Sequence, residues 1–241
     1  MTTDKLHRAK SYPYHLPDRS YLLSHDGFEE MTGDALPLSL EGRTPVIACG
    51  SNQSPERLSQ KFTLQEDRPI PVIRARLKDF DTVYSAHFAS YGSIPATLRS
   101  SPGTTVSLFV VWLTDQELDR MHETESVGIN YSFGRFDGIE AEQEIGGPLN
   151  MAYAYVSLRG ALARNGAPVP LARVSAERRN WPGLDQEEIL EHAREFLAPE
   201  VPLDRFITGI INNKDRRSSL TQALNEKALT EWDSAFTPIK F

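Results

Sequence analysis

Apolar residues along the chain fall into two kinds of pattern, one typical of strands and one typical of helices. Between residues 45 and 180, short apolar runs rich in β-branched and aromatic residues are bounded by Gly, Pro and Ser, which predicts strands. The predicted strands are PVIACG, VIRARLKDFDTVYSA, TTVSLFVVWL, YSFGRFDGIEAE and MAYAYVSL. The run SLFVVWL is apolar at successive positions, which predicts a strand covered on both faces.

Helical periodicity dominates residues 181–241. In LDQEEILEHAREFLA, Asp185 and Glu188 match a capping box that precedes one apolar stripe. The stripe consists of Ile189, Leu190, Ala193, Phe196 and Leu197. The segments LDRFITGIINN and SSLTQALNEKALTEW predict two further short helices.

The order of these elements predicts an α+β protein, because the strands come first and the helices last. Residues 1–44 are polar and rich in Pro, Gly and Asp, and we interpret them as an irregular N-terminal arm packed on the main body. Residues 45–180 form the predicted main domain, and residues 181–241 a helical extension packed on it.

The segment LTDQELDRMHETES predicts a further helix that carries a carboxylate on its apolar face. Thr114 is the expected N-cap, and Glu117 completes a capping box. At about 100° per residue, Leu118, Met121 and Glu125 share one face of this helix.

Glu125 therefore stands where the pattern asks for an apolar residue, whereas Glu123 falls on the opposite side. A buried carboxylate must be paired, hydrogen-bonded or partly neutral, because burying an isolated one is very costly. Burial raises the pKa of a carboxyl group, which suits a general base. The alternative is a helix that ends near Thr124 and leaves Glu125 in a solvated loop, and the pattern alone leaves both open.

The stretch VIACGSNQSPERL predicts a strand, a turn and a helix in close succession. Gly50 can take a positive φ, and Ser51 and Asn52 are typical turn residues. Ser54 and Pro55 match an N-cap and a first helical position. The N–H groups of such a junction can bind an anion or a carbonyl oxygen, but an ordinary connection has the same pattern.

The single cysteine, Cys49, raises the alternative of a thiol nucleophile with His87 as its base. A lone cysteine at a strand end is more often a small buried apolar residue. The six histidines lack the spacing of metal ligands, so no metal site is predicted.

Composition narrows the classes of function. With 241 residues, 39% hydrophobic and 24% charged, the chain matches a soluble globular protein. The net charge of −7 argues against a general nucleic-acid surface. No apolar run reaches the length of a membrane span, and the first residues lack the apolar segment of a secretory signal. The sequence thus favours a cytoplasmic protein without a nucleic-acid or membrane partner.

Several short motifs occur in an order that resembles the γ-glutamylcyclotransferase family. They are CGSN, ARLKDF, ATLRSSPGTTV, SLFVVWL and LDRMHETES, followed by a tyrosine at 131. The resemblance covers roughly residues 45–190. It implies a small mixed β-barrel flanked by helices, with the active site where the turn meets the helix that carries the glutamate.

The resemblance also implies an activity and roles for individual residues. Glu125 would be the general base, Gly50, Ser51 and Asn52 the cradle for substrate oxygens, and Tyr131 a pocket-lining tyrosine. The expected reaction cyclises a small-molecule γ-glutamyl amide to 5-oxoproline, releases an amine and needs no cofactor.

The sequence departs from the family pattern at two positions, and these departures leave other functions open. Cys49 stands where the turn motif normally begins with an aromatic residue that lines the pocket, and Ala172 stands where members often carry a tyrosine. A non-catalytic small-molecule binding or interaction protein, and a thiol-dependent amidase that uses Cys49, are the alternative functions. The leaving group and the oligomeric state, including a homodimer, are not determined by the sequence.

Overall fold

The fold is built around a closed barrel of five strands. The computed structural model describes residues 2–33, 36, 38–64, 68–231 and 235–240. In this part of the chain the strands are β1 (Tyr21–Ser24), β2 (Gly27–Glu30), β3 (Thr44–Ala48), β4 (Ile70–Tyr84), β5 (Ala96–Leu113), β6 (Tyr131–Gln143), β7 (Pro148–Ser157), β8 (Ala163–Arg164), β9 (Ala167–Pro168), β10 (Ala176–Glu177) and β11 (Phe236–Pro238). The helices are α1 (Thr2–Lys10), α2 (Pro55–Ser59), α3 (Asp115–Thr124), α4 (Gln186–Leu197), α5 (Leu203–Asn212) and α6 (Lys214–Asn225).

The barrel strands pair in the order β5–β3–β7–β6–β4, and β4 pairs with β5 to close the ring. Strand β3 runs parallel to β7, and the other pairs in the ring are antiparallel. All five predicted strands are present, although β5 begins at Ala96 rather than Thr104. The predicted α+β class with a mixed barrel flanked by helices is therefore confirmed.

Strand β5 separates two hydrophobic cores. Leu108 and Val110 belong to the larger core, whereas Phe109 and Val111 belong to the second. Successive side chains of a strand point to opposite faces, so a strand between two cores needs apolar residues at every position. This confirms the interpretation of SLFVVWL as a strand covered on both sides.

The N-terminal arm contains more regular structure than its composition indicated, namely α1, β1 and β2. Strands β1 and β2 form a hairpin, and β1 pairs with β4 so that Tyr21 lies opposite Val72. Gly27, with φ +126°, adopts a backbone conformation at the hairpin that glycine allows. The Asp-Gly pair in SHDGF was the available hairpin signal, and Tyr21 and Leu23 are the buried residues that fix the register.

Helix α4 begins as predicted, with the complete capping box of Asp185 and Glu188. The Phe196 side chain is a correction to the predicted apolar stripe, because 46% of it is exposed. It packs beneath the Lys227 ammonium, 4.1 Å from the ring centroid, which explains how an aromatic ring is accommodated at the surface.

Helix α5 follows its predicted bounds, but α6 begins earlier than predicted. The Asn213 side chain accepts a hydrogen bond from the Arg216 N–H across 2.9 Å and so caps the helix ahead of the predicted start at Ser218. The helix ends at Asn225, so the predicted continuation through residues 226–231 is wrong, and the predicted last residue, Trp232, lies outside the described residues. In the described part of the chain, the helices are all too short or too polar to cross a membrane.

Candidate active site

The turn after β3 is a short 3-10 turn, Ser51–Gln53, that leads directly into α2. Ser54 is the N-cap residue and Pro55 the first helical residue, as predicted. The predicted positive φ at Gly50 is wrong, because its φ is −128° and its ψ −134°. Glycine is required there for another reason, since a Cβ would fall on the hydroxyl of Tyr12 and lie 3.3 Å from its Cζ.

Some backbone N–H groups of the turn form hydrogen bonds within it, and others do not. Gln53 donates its N–H to Gly50 O across 3.1 Å, and Ser54 donates to Ser51 O across 3.0 Å. Within the described ranges, the N–H groups of Gly50, Ser51 and Asn52 donate to no protein acceptor. Three consecutive N–H groups without protein partners form the kind of concavity that binds a carboxylate or an oxyanion.

Helix α3 carries Glu125 to this turn. The capping box of Thr114 and Glu117 is complete, and the helix ends at Thr124, so that Glu125 is the C-cap residue. The Glu125 side chain is nevertheless only 13% exposed, whereas that of Glu123 is 66% exposed. The early helix end and the inward-facing carboxylate therefore occur together, although the sequence presented them as alternatives.

In the part of the chain that the structure describes, Glu125 has two hydrogen-bond or ion-pair partners, and both contact the same oxygen. Asn52 donates its side-chain amide to Oε1 across 3.1 Å, and the Lys61 ammonium forms an ion pair with Oε1. Among the described residues, Oε2 has no hydrogen-bond or ion-pair partner. The buried carboxylate is thus paired and hydrogen-bonded, and one of its oxygens is available to a ligand.

All six predicted site residues line one cavity of about 340 Å³. They are Cys49, Gly50, Ser51, Asn52, Glu125 and Tyr131. The cavity also receives residues that the sequence did not single out for this site. These are, among others, Tyr12, Arg57, Lys61, Tyr91, Tyr155 and Arg217. The structure therefore brings the predicted residues together, while the roles assigned to them stay predictions.

Two tyrosines meet at the first residue of β5. The Ala96 N–H donates to the Tyr12 hydroxyl across 2.8 Å, and the Tyr131 hydroxyl donates to Ala96 O across 3.1 Å. Because the Tyr12 hydroxyl also lies against Gly50, the N-terminal arm supplies an aromatic wall beside Cys49. This aromatic ring comes from a residue outside the predicted main domain.

The second departure from the family pattern lies away from the cavity. Ala172 packs against Gly183, whose added Cβ would lie 3.2 Å from the Ala172 Cα. Tyr91 lines the cavity instead, with its ring 5.7 Å from the Arg57 guanidinium. The loop between β4 and β5 therefore adds a phenol to those of Tyr12, Tyr131 and Tyr155 in the cavity.

Burial keeps the thiol and the histidine of the cavity uncharged near neutral pH. It raises the pKa of the Cys49 thiol to about 12. Burial, assisted by the charge of Arg159, lowers the pKa of His87 to about 3. The His87 Nδ1 hydrogen-bonds to Ser85 Oγ at 2.7 Å, which in turn contacts Ser157 Oγ at 2.6 Å. This arrangement is unfavourable for the thiol–histidine interpretation, which needs a reactive thiolate.

The phenols of the cavity are likewise uncharged. Burial raises the pKa of Tyr12 and Tyr131 well above the ordinary value, and the charge of Glu125 adds to the increase at Tyr131. Among the described residues, the arginine, lysine and glutamate side chains that line the cavity are those of Arg57, Lys61, Arg217 and Glu125. Three cations beside one carboxylate favour a ligand that carries at least one acidic group.

The fold and this site define the class of protein as an α+β barrel with a carboxylate-bearing cavity beside an N–H-rich turn. No family model matches the chain, and no curated protein does either. Solved structures are similar to about half of the chain. One of them is a γ-glutamyl cyclotransferase, with 22% sequence identity and a TM-score of 0.36. The similarity covers 47% of this chain and 66% of the cyclotransferase chain. Another is the crystal structure of an uncharacterized protein from Homo sapiens, at 22% identity and a TM-score of 0.39 over 48% of this chain and 67% of that one.

Proposed function

We propose that the protein cyclises a γ-glutamyl amide to 5-oxoproline and releases an amine. The observation that supports this most strongly is the contact between the turn and the carboxylate. In it, Asn52 holds Glu125 beside three N–H groups that have no protein partner in the described part of the chain. A carboxylate can move a proton, and oriented N–H groups can stabilise a developing negative charge on oxygen. Both groups line the same cavity.

The proposed reaction occurs within one substrate molecule. The α-amine of the glutamyl group attacks its own γ-carbonyl carbon, a new C–N bond closes the five-membered lactam, and the bond to the leaving nitrogen breaks. Since nucleophile and electrophile are in one molecule, no cofactor is required, and the cavity has to hold the chain in its bent conformation. Orientation of this kind lowers a barrier by up to ~7–11 kcal/mol.

Glu125 is the proposed general acid and base. Its carboxylate accepts a proton from the α-ammonium, which frees the amine to attack, and the attacking nitrogen loses a second proton as the lactam forms. The leaving nitrogen takes up both protons and departs as an ammonium ion, so that charge and atoms balance and the carboxylate is regenerated. Oε2 is the oxygen proposed for this transfer, because Asn52 and Lys61 both contact Oε1. Proton transfer by a positioned side chain contributes about 10²–10⁴-fold to a rate.

The experiment that tests this proposal is a panel of γ-glutamyl compounds. It contains γ-glutamylglycine, γ-glutamylalanine and γ-glutamyl alkylamides, with α-glutamylglycine as the control that has no amide bond at the γ-position. Chromatography with mass detection measures 5-oxoproline and free amine, and we expect them in equal amounts from at least one γ-glutamyl compound. A panel that gives no 5-oxoproline above the rate in buffer would contradict the proposal.

One observation favours a second candidate, a binding protein on the same fold. The Lys61–Glu125 ion pair could hold an amino-acid head group without any chemistry, because it offers both charges of that group a partner. This candidate predicts that γ-glutamylglycine raises the melting temperature of the protein while no 5-oxoproline is formed.

A further inference from the structure

Lys61 is a buried cation at the centre of the proposed site. Its side chain is 10% exposed, and it lies in the cavity directly after α2, where its backbone N–H donates to Leu58 O across 2.9 Å. An ammonium has three N–H donors. One contacts Glu125 Oε1 and another approaches Met121 Sδ at 3.8 Å, which leaves a donor without a further partner among the described residues.

The ion pair of Lys61 and Glu125 matches the charges of an amino-acid head group. A γ-glutamyl substrate carries an ammonium and a carboxylate on the same carbon atom. Glu125 Oε2 is available to the ammonium, and the remaining Lys61 donor is available to the carboxylate. A buried ion pair contributes little net stability, because desolvation offsets the attraction between the charges. Stabilisation of the fold therefore does not explain this pair, whereas a role in binding does.

We infer that Lys61 binds the α-carboxylate of the glutamyl group while Glu125 binds its α-ammonium. This inference rests on the proposed function and assigns the recognition of the substrate head group to a residue that the sequence motifs did not include. The site thereby selects amines and amides derived from an α-amino acid over analogues that lack the α-carboxylate.

The other two cations of the cavity also make contacts of their own, although the buried Nε of Arg57 has no hydrogen-bond partner among the described residues. The Arg57 guanidinium lies over the rings of Tyr14 and Tyr91, at 5.4 and 5.7 Å from their centroids, and its Nη1 donates to Gln60. Arg217 donates its Nη1 to Ile210 O across 2.8 Å. Lys61 forms an ion pair with Glu125, so its ammonium lies beside the place proposed for the substrate carbon atom that carries both the α-ammonium and the α-carboxylate.

One consequence concerns the turn. If Lys61 holds the α-carboxylate, the N–H groups of Gly50, Ser51 and Asn52 are left for the γ-carbonyl oxygen. That oxygen becomes negatively charged in the transition state, and preorganised N–H donors stabilise such a charge without reorganisation. The sequence alone did not distinguish whether the turn binds an anion or a carbonyl oxygen.

The test compares two substrates that differ only in the α-carboxylate. γ-Glutamylglycine forms 5-oxoproline, whereas 4-aminobutyrylglycine lacks the carboxylate and forms 2-pyrrolidinone by the same ring closure. We expect the wild-type protein to prefer γ-glutamylglycine by about 10- to 100-fold in kcat/KM, the size of one charge-assisted hydrogen bond. Lys61→Met should abolish most of this preference, chiefly by raising KM for γ-glutamylglycine, and Lys61→Arg should restore part of it.

Lys78→Met is the matched control, because Lys78 forms an exposed ion pair with Glu140 on the barrel surface and does not line the cavity. A Lys61→Met variant that lowers kcat/KM equally for both substrates would overturn the inference, since Lys61 would then act only through Glu125. A wild-type protein without any preference would overturn it as well.

A binding experiment tests the inference separately if the protein does not catalyse the proposed reaction. If the wild-type protein releases neither lactam, calorimetry measures the binding of the same two compounds to the wild-type and Lys61→Met proteins. Preferential binding of γ-glutamylglycine that depends on Lys61 supports the inference even without turnover. Equal binding of both compounds, or binding of neither, overturns it.

Discussion

Asn52 donates its side-chain amide to Oε1 of Glu125 across 3.1 Å, which joins the turn after β3 to the end of α3. The two residues are 73 positions apart in the sequence. The contact fixes the carboxylate relative to the N–H groups of the turn, and such fixed geometry is what a proton-transfer site requires.

The first prediction concerns the close approach of Gly50 and Tyr12. In Gly50→Ala the new Cβ would overlap the Tyr12 hydroxyl, so we expect a loss of ~1–3 kcal/mol of stability through overpacking. Tyr12→Phe alone should cost ~1–3 kcal/mol, because the Ala96 N–H loses its acceptor. Since Tyr12→Phe removes the overlapping hydroxyl and leaves the ring Cζ 3.3 Å from the new Cβ, the double variant should lose less than the sum of the two.

Urea denaturation of the four proteins measures these free energies. Gly33→Ala is the control, because a Cβ there would meet no heavy atom within 4 Å. Strictly additive losses in the double variant would show that Tyr12 does not restrict position 50.

The second prediction concerns the reactivity of Cys49. With its thiol buried and its pKa near 12, iodoacetamide should modify the folded protein only slowly at pH 7.5, whereas the same protein in guanidinium chloride should react fully. Mass spectrometry of the intact protein counts the added carbamidomethyl groups. Rapid modification of the folded protein together with loss of activity would instead support the thiol-dependent amidase.

The third prediction concerns acid stability. The pKa of His87 is about 3 in the folded protein and ~6.5 in an unfolded chain, so the unfolded state binds more protons between these values and stability falls as the pH falls through that window. Between pH 7 and pH 5 this one group should remove about 2 kcal/mol from the free energy of unfolding.

Denaturation of wild type and His87→Asn at both pH values measures the difference. The variant should lose about 2 kcal/mol less than the wild type on acidification. In the wild type, the NMR signal of the His87 Cε1 proton should not titrate between pH 7 and pH 5. A titrating signal in this range would show that His87 is more accessible than the structure indicates.

Most of the fold was predictable because its signals are local. Periodicity and capping residues identified the barrel strands, α3 and α4, whose capping boxes at Thr114 and Asp185 are complete in the structure. The hairpin of the N-terminal arm was missed because its strands are short. The exposed side chain of Phe196 was missed because its partner, Lys227, lies in another element.

The candidate site was predictable only in part. Helical periodicity pointed Glu125 inward, and the turn residues were recognised from their motif, but nothing near Lys61 or Tyr12 in the sequence indicates that they reach the same cavity. Their positions depend on tertiary contacts, in particular on the ion pair with Glu125 and the hydrogen bond from Ala96. Local patterns carry no information about such contacts.

The central claim is that Glu125 transfers the proton in a lactam-forming reaction. Its most direct test is the rate of 5-oxoproline release by wild type, Glu125→Gln and Glu123→Gln, with the γ-glutamyl compound that the wild type cyclises fastest. Glu123 is a matched control, because it lies on the same helix but is exposed and paired with Arg120. We expect Glu125→Gln to reduce kcat about 10²–10⁴-fold and Glu123→Gln to leave it unchanged. Full turnover by a folded Glu125→Gln protein would contradict the claim.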